Sequence, residues 1–152
     1  MSEKSAYREL RKHILRPGDR IDRIENLVGT GFPDVNMCLR GAERLTGTEL
    51  WVEIKTPREP KRATTSLFGS NHKLTLDQRN WFLAQRKAQG HAYVYIKTEN
   101  HKLLLHGFFA DSINTAPVSI LISWADWYSG KRTTAFEWNE LRKILLLHGR
   151  LT

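Results

Sequence analysis

The sequence has almost no cysteine and no long apolar run. Its one cysteine, Cys38, excludes an intramolecular disulfide. The apolar stretches at 103–105 and 118–124 fall far short of the roughly 20 residues that a membrane-spanning helix needs. The chain does not open with a basic start, an apolar stretch and a small-residue cleavage site. These absences exclude membrane insertion and lead us to expect a cytoplasmic protein.

Acidic residues are also few relative to basic ones. The 152 residues include 24 Lys and Arg against 16 Asp and Glu, which gives a formal net charge of +8 and a pI near 9.9. A basic chain favours a polyanionic partner, and DNA is the partner that we expect. The length suits one domain over 1–152, with a core over about 2–110 and a C-terminal extension over about 111–152.

Hydrophobic periodicity predicts an α/β fold with a mixed central sheet flanked by helices. The first predicted elements are a helix over 2–15 capped by Ser2 and strands over 20–28, 33–40 and 49–56. A basic loop over 57–73 follows, and then a helix capped by Thr75 and closed by Gly90. The last predicted elements are strands over 91–98 and 103–110, a strand running into a short helix over 118–128, and a helix over 137–149. Short glycine-bearing connectors make the first three strands an antiparallel meander. The strand–helix–strand spacing then predicts a right-handed crossover to a parallel fourth strand.

Two acids and a lysine share one face of the second and third strands. Side chains alternate along a strand, so Asp34 lies on one face of the second strand, while Glu53 and Lys55 project together from the third. If these strands pair, the two carboxylates converge near one end with the lysine beside them. Such a pair suits a hard cation such as Mg²⁺. The ammonium can orient an attacking water or offset charge that develops on a phosphodiester.

The order Pro33-Asp34, then Glu53-Ile54-Lys55, within helix, three strands, helix and strand, resembles the PD-(D/E)xK nuclease superfamily. The match covers roughly 2–98. The resemblance implies a restriction-endonuclease-like core and a metal site made by Asp34, Glu53 and the main-chain carbonyl of Ile54. It also implies that Lys55 is catalytic and that the cofactor is Mg²⁺, with Mn²⁺ as a substitute.

Further residues are similar to small phage-encoded members, to Holliday-junction resolvases and to the VRR-NUC branch. The runs 23–26, 31–34 and 74–78 carry this resemblance, and it implies an active-site role for Gln78 and a bacterial or phage-infected host cell. Such enzymes often use one more acid. Glu25 on the first strand and Glu9 on the first helix are the two candidates, and the context of Glu25 favours it.

Basic residues flank the predicted pocket, where they could bind backbone phosphates without reading bases. They are Arg58, Lys61, Arg62, His72, Lys73 and Arg79. The histidines have no paired helical spacing and no cysteine partners, which argues against zinc. The aromatics at 124, 127, 128 and 138 fit core, a homodimer interface or a base-stacking platform, with core as the default.

The sequence therefore favours a Mg²⁺-dependent DNA endonuclease, structure-selective for branched, flapped or junction DNA in DNA processing or repair. By the resemblance, its products carry 5′-phosphates. The alternative is a catalytically silent nucleic-acid-binding or inhibitory module with the same fold. An RNA-directed nuclease would differ only in substrate.

Overall fold

The computed structural model describes residues 2–24, 31–41, 47–69 and 73–148. Its helices are α1 (Glu3–Ile14), α2 (Leu76–Lys87), α3 (Val118–Trp124) and α4 (Ala135–Leu146). Its strands are β1 (Arg20–Arg23), β2 (Val35–Arg40), β3 (Gly47–Lys55), β4 (Ala92–Lys97), β5 (Lys102–His106) and β6 (Trp127–Ser129). Short 3₁₀ turns occupy Gly107–Phe109 and Ile113–Thr115.

All six strands form one mixed sheet in the order β1-β2-β3-β4-β5-β6. β3 and β4 pair in parallel, and the other neighbours pair antiparallel. The parallel pair requires a crossover, and α2 lies within it. The predicted fold class, an antiparallel meander plus a parallel crossover strand in a helix-flanked sheet, is confirmed.

Each face of the sheet has its own apolar core. On β3, Leu50, Val52 and Ile54 point into the core that includes buried residues of α1 and α4. The opposite face packs residues of α2 and α3 against β4 and β5. The central strand β4 contributes to both cores, and its residues 92–96 are all buried. An apolar run without alternation is what a strand covered on both faces requires.

Three helices begin with the same side-chain cap. Ser2, Thr75 and Thr134 each accept the backbone N–H three residues on, while the side chain at that position accepts the cap's own N–H. The predicted caps Ser2 and Thr75 are confirmed. The prediction that the last helix starts at 137 is wrong, because Thr134 caps α4 and Glu137 completes its capping box.

The end of α2 also differs from its prediction. The residue in the left-handed region is Gln89, with φ 59°, rather than Gly90. Gly90 follows and donates its N–H to the carbonyl of Gln85 over 2.9 Å. A Cβ at Gly90 would lie 2.3 Å from the end of the Gln85 side chain, so the Gln85 side chain would have to move for any other residue here.

The segment after β5 was predicted least well. A strand running into a short helix was expected over 118–128, but the helix α3 comes first and β6 follows it. The N–H of Asp126 donates to the carbonyl of Leu104, which brings the chain onto the β5 edge. The fifth strand ends at His106 rather than 110, because Nδ1 of His106 accepts the N–H of Phe108 and turns the chain into a 3₁₀ turn.

The C-terminal aromatics are divided between core and surface. Trp127 and Trp138 are buried and stack with ring centroids 5.7 Å apart, which confirms the default expectation of core for these two. Trp124 stacks on Phe109, and Tyr128 is exposed. Among the described residues, none of the helices is both long and apolar enough to cross a membrane.

Candidate functional site

The pairing of β2 with β3 brings Asp34 and Glu53 together. Val35 lies opposite Val52 in this antiparallel pair. Asp34, the residue just before β2, therefore lies opposite Glu53 on β3. Asp34 is also held by its side chain, whose Oδ2 accepts the backbone N–H of Ile54 over 2.9 Å. The two carboxylates therefore share one end of the strand pair, as alternation predicted.

Glu53 is a nearly inaccessible carboxylate, with 2 % of its surface exposed. Its Oε1 accepts a 2.8 Å hydrogen bond from Nε2 of Gln78 and lies 3.6 Å from Nζ of Lys55. Its Oε2 is buried, and no described residue donates a hydrogen bond to it. A buried oxygen without a donor is costly, so this atom has unused capacity for a proton or a cation.

The electrostatics of Glu53 follow from this position. Burial, and next the charge of Asp34, raise the pKa of Glu53 to about 8, although Lys55 opposes the shift. When Glu53 is protonated it can donate a hydrogen bond to Asp34, which also favours the neutral form. At neutral pH the pair therefore binds a proton unless another positive charge takes its place.

Lys55 is buried beside this pair, with 7 % of its surface exposed. Its Nζ donates to the backbone carbonyl of Lys73 over 3.4 Å, in addition to its ion pair with Glu53. An ammonium held between a carboxylate and a carbonyl has a fixed position. Its charge can therefore act on a group bound at the carboxylates.

Gln78 is placed by the capping box of α2. Its Oε1 accepts the N–H of Thr75 over 2.9 Å, which leaves Nε2 directed at Glu53. One side chain thus joins the start of the helix to the carboxylate on β3. The sequence prediction had placed Gln78 beside the pocket, and the structure brings it there.

Of the two candidates for the extra acid, the structure describes only Glu9. Glu25 lies outside the described residues. Glu9 forms an ion pair with Lys97 at 3.0 Å and lies 3.9 Å from Lys102, so its charge is already compensated. Glu3, in the first turn of α1, was missed, and its charge raises the pKa of Glu53. No local pattern marks Glu3, because only the packing of α1 against the sheet brings it near the site.

The predicted phosphate-binding residues are mostly at the surface. Arg58, Lys61, Arg62 and Lys73 are exposed, Arg79 is half-buried, and His72 lies outside the described residues. The described part of the basic loop is anchored to the rest of the fold. Glu59 binds Thr98 and Asn100, and Leu67 and Phe68 are buried in the second core.

The donor set fits a cation that keeps most of its waters. Within the described ranges, no three His, Cys, Asp or Glu residues cluster so as to hold a metal ion. Asp34 and Glu53 supply two carboxylates, and Oε2 of Glu53 has no other partner. Mg²⁺ is usually held by one or two carboxylates together with water and phosphate oxygens, so two carboxylates are sufficient.

No protein-family model matches the chain, and no curated protein matches it. Among solved structures, the chain is similar to Hjc, a Holliday junction resolvase from the archaeal hyperthermophile Archaeoglobus fulgidus. The two are 19% identical in sequence, with a TM-score of 0.48. The match covers 80% of this chain and 89% of that chain.

Proposed function

We propose that the chain is a divalent-metal-dependent nuclease that hydrolyses phosphodiester bonds in DNA. The observation that carries this role is the buried Oε2 of Glu53, which has no hydrogen-bond donor among the described residues and lies beside a second carboxylate, Asp34. A purely structural carboxylate would be expected to have donors on both oxygens. This one is arranged to receive a positive charge.

Asp34 and Glu53 would hold the metal, with the carbonyl of Ile54 as a further ligand. Mg²⁺ bound there supplies Lewis-acid stabilisation of a phosphoryl oxygen. The bond from Ile54 N–H to Asp34 Oδ2 fixes the direction of that carboxylate. The bond from Gln78 to Glu53 Oε1 leaves Oε2 as the oxygen available for coordination.

Lys55 is the proposed catalytic residue of the chain. Its ammonium lies 3.6 Å from Glu53 Oε1, so it reaches the edge of the site that the two carboxylates define. From there it orients the attacking water or offsets the negative charge that grows on the phosphodiester. The charge of Glu3 also raises the pKa of Glu53, but Glu3 does not form a metal-holding cluster with Asp34 and Glu53 among the described residues, so Glu25 stays our candidate for the extra acid.

DNA is the proposed substrate, and branched, flapped or junction DNA is the proposed preference. The formal net charge of +8 supports a polyanionic partner. Exposed Arg58, Lys61 and Arg62 follow β3 directly, where they can contact phosphates next to the site. Membership of the PD-(D/E)xK superfamily, including its VRR-NUC and junction-resolving branches, is a prediction from sequence.

The test is a cleavage panel with the purified full chain. Plasmid, linear duplex, flapped and four-way-junction DNA and a structured RNA are incubated with Mg²⁺, Mn²⁺ or EDTA. We expect cleavage of DNA with either metal, 5′-phosphate products and no cleavage in EDTA. Lys55→Ala should abolish it.

The matched control is Lys97→Ala, which removes an ion-paired lysine from the neighbouring strand β4. This variant should cleave like the wild type. DNA binding without cleavage of any substrate under any metal would favour the silent module instead. Cleavage of the RNA alone would move the substrate class to RNA.

A further inference from the structure

Three aromatic rings meet at the surface beside the candidate site, and we call them the aromatic corner: Phe32, Trp51 and Trp81. Their ring centroids are 6.4 Å apart for Phe32 and Trp51, 6.2 Å for Phe32 and Trp81, and 5.8 Å for Trp51 and Trp81. Phe32 is 42% exposed, which is unusual for a large apolar side chain within an aromatic cluster. The corner therefore presents apolar ring surface to solvent.

Each ring of the corner lies next to a different residue of the site. Phe32 is two residues before Asp34, and Trp51 is two residues before Glu53 on the same face of β3. Trp81 is one helical turn after Gln78 on α2. A two-residue step along a strand is about 6.6 Å, close to the rise of two stacked nucleotides. Phe32 and Trp51 are therefore each two residues along the chain from one of the carboxylates.

The backbone holds the corner in place before any ligand binds. Gly31 has φ +90°, and a Cβ there would lie 2.5 Å from the carbonyl oxygen of Asp77. Glycine therefore lets the chain pack against the first turn of α2. This contact places Phe32 beside Trp81. This explains the run 31–34: the glycine makes the approach, Phe32 presents its ring, and Asp34 enters the site.

We infer that the aromatic corner stacks an unpaired DNA base next to the bond that is cut, with Phe32 as the exposed contact. This assignment rests on the proposed function and names its substrate class: DNA with unpaired or splayed bases. Aromatic side chains bind bases of any identity through their π-faces. Bases inside a regular duplex already stack on each other, so the corner can engage only bases that a branch, flap or bulge has freed.

A nucleic acid fits the corner better than a second copy of the chain does. The corner is continuous with the two carboxylates proposed to hold the metal, and the chain as a whole is strongly basic. A second copy would bring the same net charge of +8 to this surface. DNA brings negative phosphates to the basic chain together with π-faces for the rings.

The experiment measures stacking directly with 2-aminopurine placed at the unpaired nucleotide nearest the branch of a flapped DNA. Binding is followed by 2-aminopurine fluorescence and by anisotropy, in a Lys55→Ala background so that no substrate is cut. A fully paired duplex of the same sequence is the reference. The variants are Phe32→Leu, which keeps an apolar side chain, and Phe32→Tyr, which keeps a ring. Phe136→Leu, at an exposed phenylalanine of α4, is the matched control.

We expect the parent protein to quench the fluorescence and to prefer the flapped DNA. Phe32→Leu should lose the quenching and weaken binding of the flapped DNA about tenfold, within the range for one stacked base. Its binding of the duplex should change little. Phe32→Tyr and Phe136→Leu should both behave like the parent.

The inference is overturned if Phe32→Leu keeps the quenching, if it weakens duplex and flapped DNA equally, or if neither DNA binds. It is also overturned if sedimentation shows a dimer that Phe32→Leu alone dissociates, because the corner would then be a self-association surface. The proposed function fails separately. Phe32-dependent quenching without metal-dependent cleavage by the wild type would leave the stacking role standing and remove the nuclease.

Discussion

Two buried carboxylates in this chain have opposite surroundings. Asp19 lies between α1 and β1, and its side chain is inaccessible to solvent. Glu53 lies on β3 and is almost as fully buried. Both were removed from water on folding, which is unfavourable for a charge unless partners replace the water. Hydrogen-bond donors replace water at both oxygens of Asp19, but among the described residues they do so at only one oxygen of Glu53.

Asp19 has donors on both oxygens. The backbone N–H groups of Arg16 and Arg40 donate to it, each over 2.8 Å, and both terminal nitrogens of the Arg142 guanidinium donate as well. Burial alone would raise the pKa of Asp19, but these hydrogen bonds hold it below its ordinary value. The charge is a structural one, and it ties α1, β2 and α4 together.

Glu53 has one amide donor and one ammonium nearby, and both act on Oε1. Its Oε2 has none, and the neighbouring charge of Asp34 is repulsive. The pKa of Glu53 is therefore raised to about 8. Both carboxylates are buried, so burial alone does not identify a candidate ligand site. The missing hydrogen-bond donor at a fixed oxygen does distinguish Glu53 from Asp19.

The largest expected effect is the loss of cleavage in Glu53→Gln. The amide keeps the shape but removes the negative charge that would hold the metal, so kcat/KM should fall by about 10³-fold or more. In metal-free buffer at pH 8 the same variant should be more stable than the wild type, since an amide carries no buried charge. An Asn at Asp19 should leave kcat/KM within a few-fold of the wild type. Equal losses of cleavage in the two variants would contradict the comparison.

The pH dependence of stability should run in opposite directions for the two carboxylates. Glu53 has a raised pKa, so its contribution is fully present below its unfolded pKa of about 4.5 and is lost as pH rises towards 8. The shift corresponds to at most about 5 kcal/mol of unfolding free energy in EDTA. Asp19 has a lowered pKa, so its contribution is present above about pH 4 and is lost as pH falls below that.

Urea unfolding from pH 3 to pH 9 in EDTA measures both effects. The difference between wild type and Glu53→Gln should grow between pH 5 and pH 8, and Mg²⁺ should remove it. The difference between wild type and Asp19→Asn should shrink below pH 4. If the difference in unfolding free energy between wild type and Glu53→Gln stayed constant from pH 5 to pH 8, the pKa of Glu53 would not be raised by folding.

Asp19→Ala should lower the free energy of unfolding by about 3 kcal/mol, since it leaves the buried Arg142 charge without its carboxylate. Chemical denaturation at pH 7 measures it. The matched variant is Asp22→Ala, which removes a half-exposed acid of β1 whose ion pair with Arg20 is at the surface. That change should cost less than about 1 kcal/mol. Similar costs for the two would mean that the donors around Asp19 contribute little.

The smallest expected effect comes from removing one donor from Glu53. Gln78→Ala leaves Oε1 with only the ammonium, so kcat/KM should fall about tenfold, the value of one hydrogen bond to a charged group. It also breaks the capping box of α2, so Glu137→Ala, at the same position of the α4 capping box, is the control. Glu137→Ala should lose a similar amount of stability and no activity. If Glu137→Ala also lost activity, the loss of kcat/KM in Gln78→Ala would follow from reduced helix stability rather than from the missing hydrogen bond to Glu53.

Much of the sheet and half of the site could be predicted because the signals are local. Strand alternation placed Asp34 and Glu53 on one face. Gln78 was predicted from the resemblance to known nucleases, and the Thr75 cap gave only the start of its helix. Glu3 could not be found this way, since nothing in its neighbourhood differs from an ordinary first-turn acid. Asp19 follows a Pro-Gly pair, and its role depends on Arg142, which is 123 residues away in sequence.

The order of α3 and β6 was wrong for a related reason. The run 118–124 is short and apolar, and periodicity does not separate a buried helix turn from a buried strand at that length. The hydrogen bond from Asp126 to Leu104 decides which residues reach the sheet edge, and it joins parts of the chain that are far apart in sequence. The position of the extra acid on the first strand, Glu25, stays a prediction.

The bond between Asp19 and Arg142 also has a consequence for synthesis of the protein. Its partners are 123 residues apart, so a growing chain makes Asp19 long before it makes Arg142. Until α4 leaves the ribosome, the first helix lacks the neighbour that covers it and the aspartate lacks its guanidinium. Native structure around residue 19 must therefore form after residue 142 has been synthesised, and nascent chains stalled before residue 142 should be cut by protease at the junction of α1 and β1.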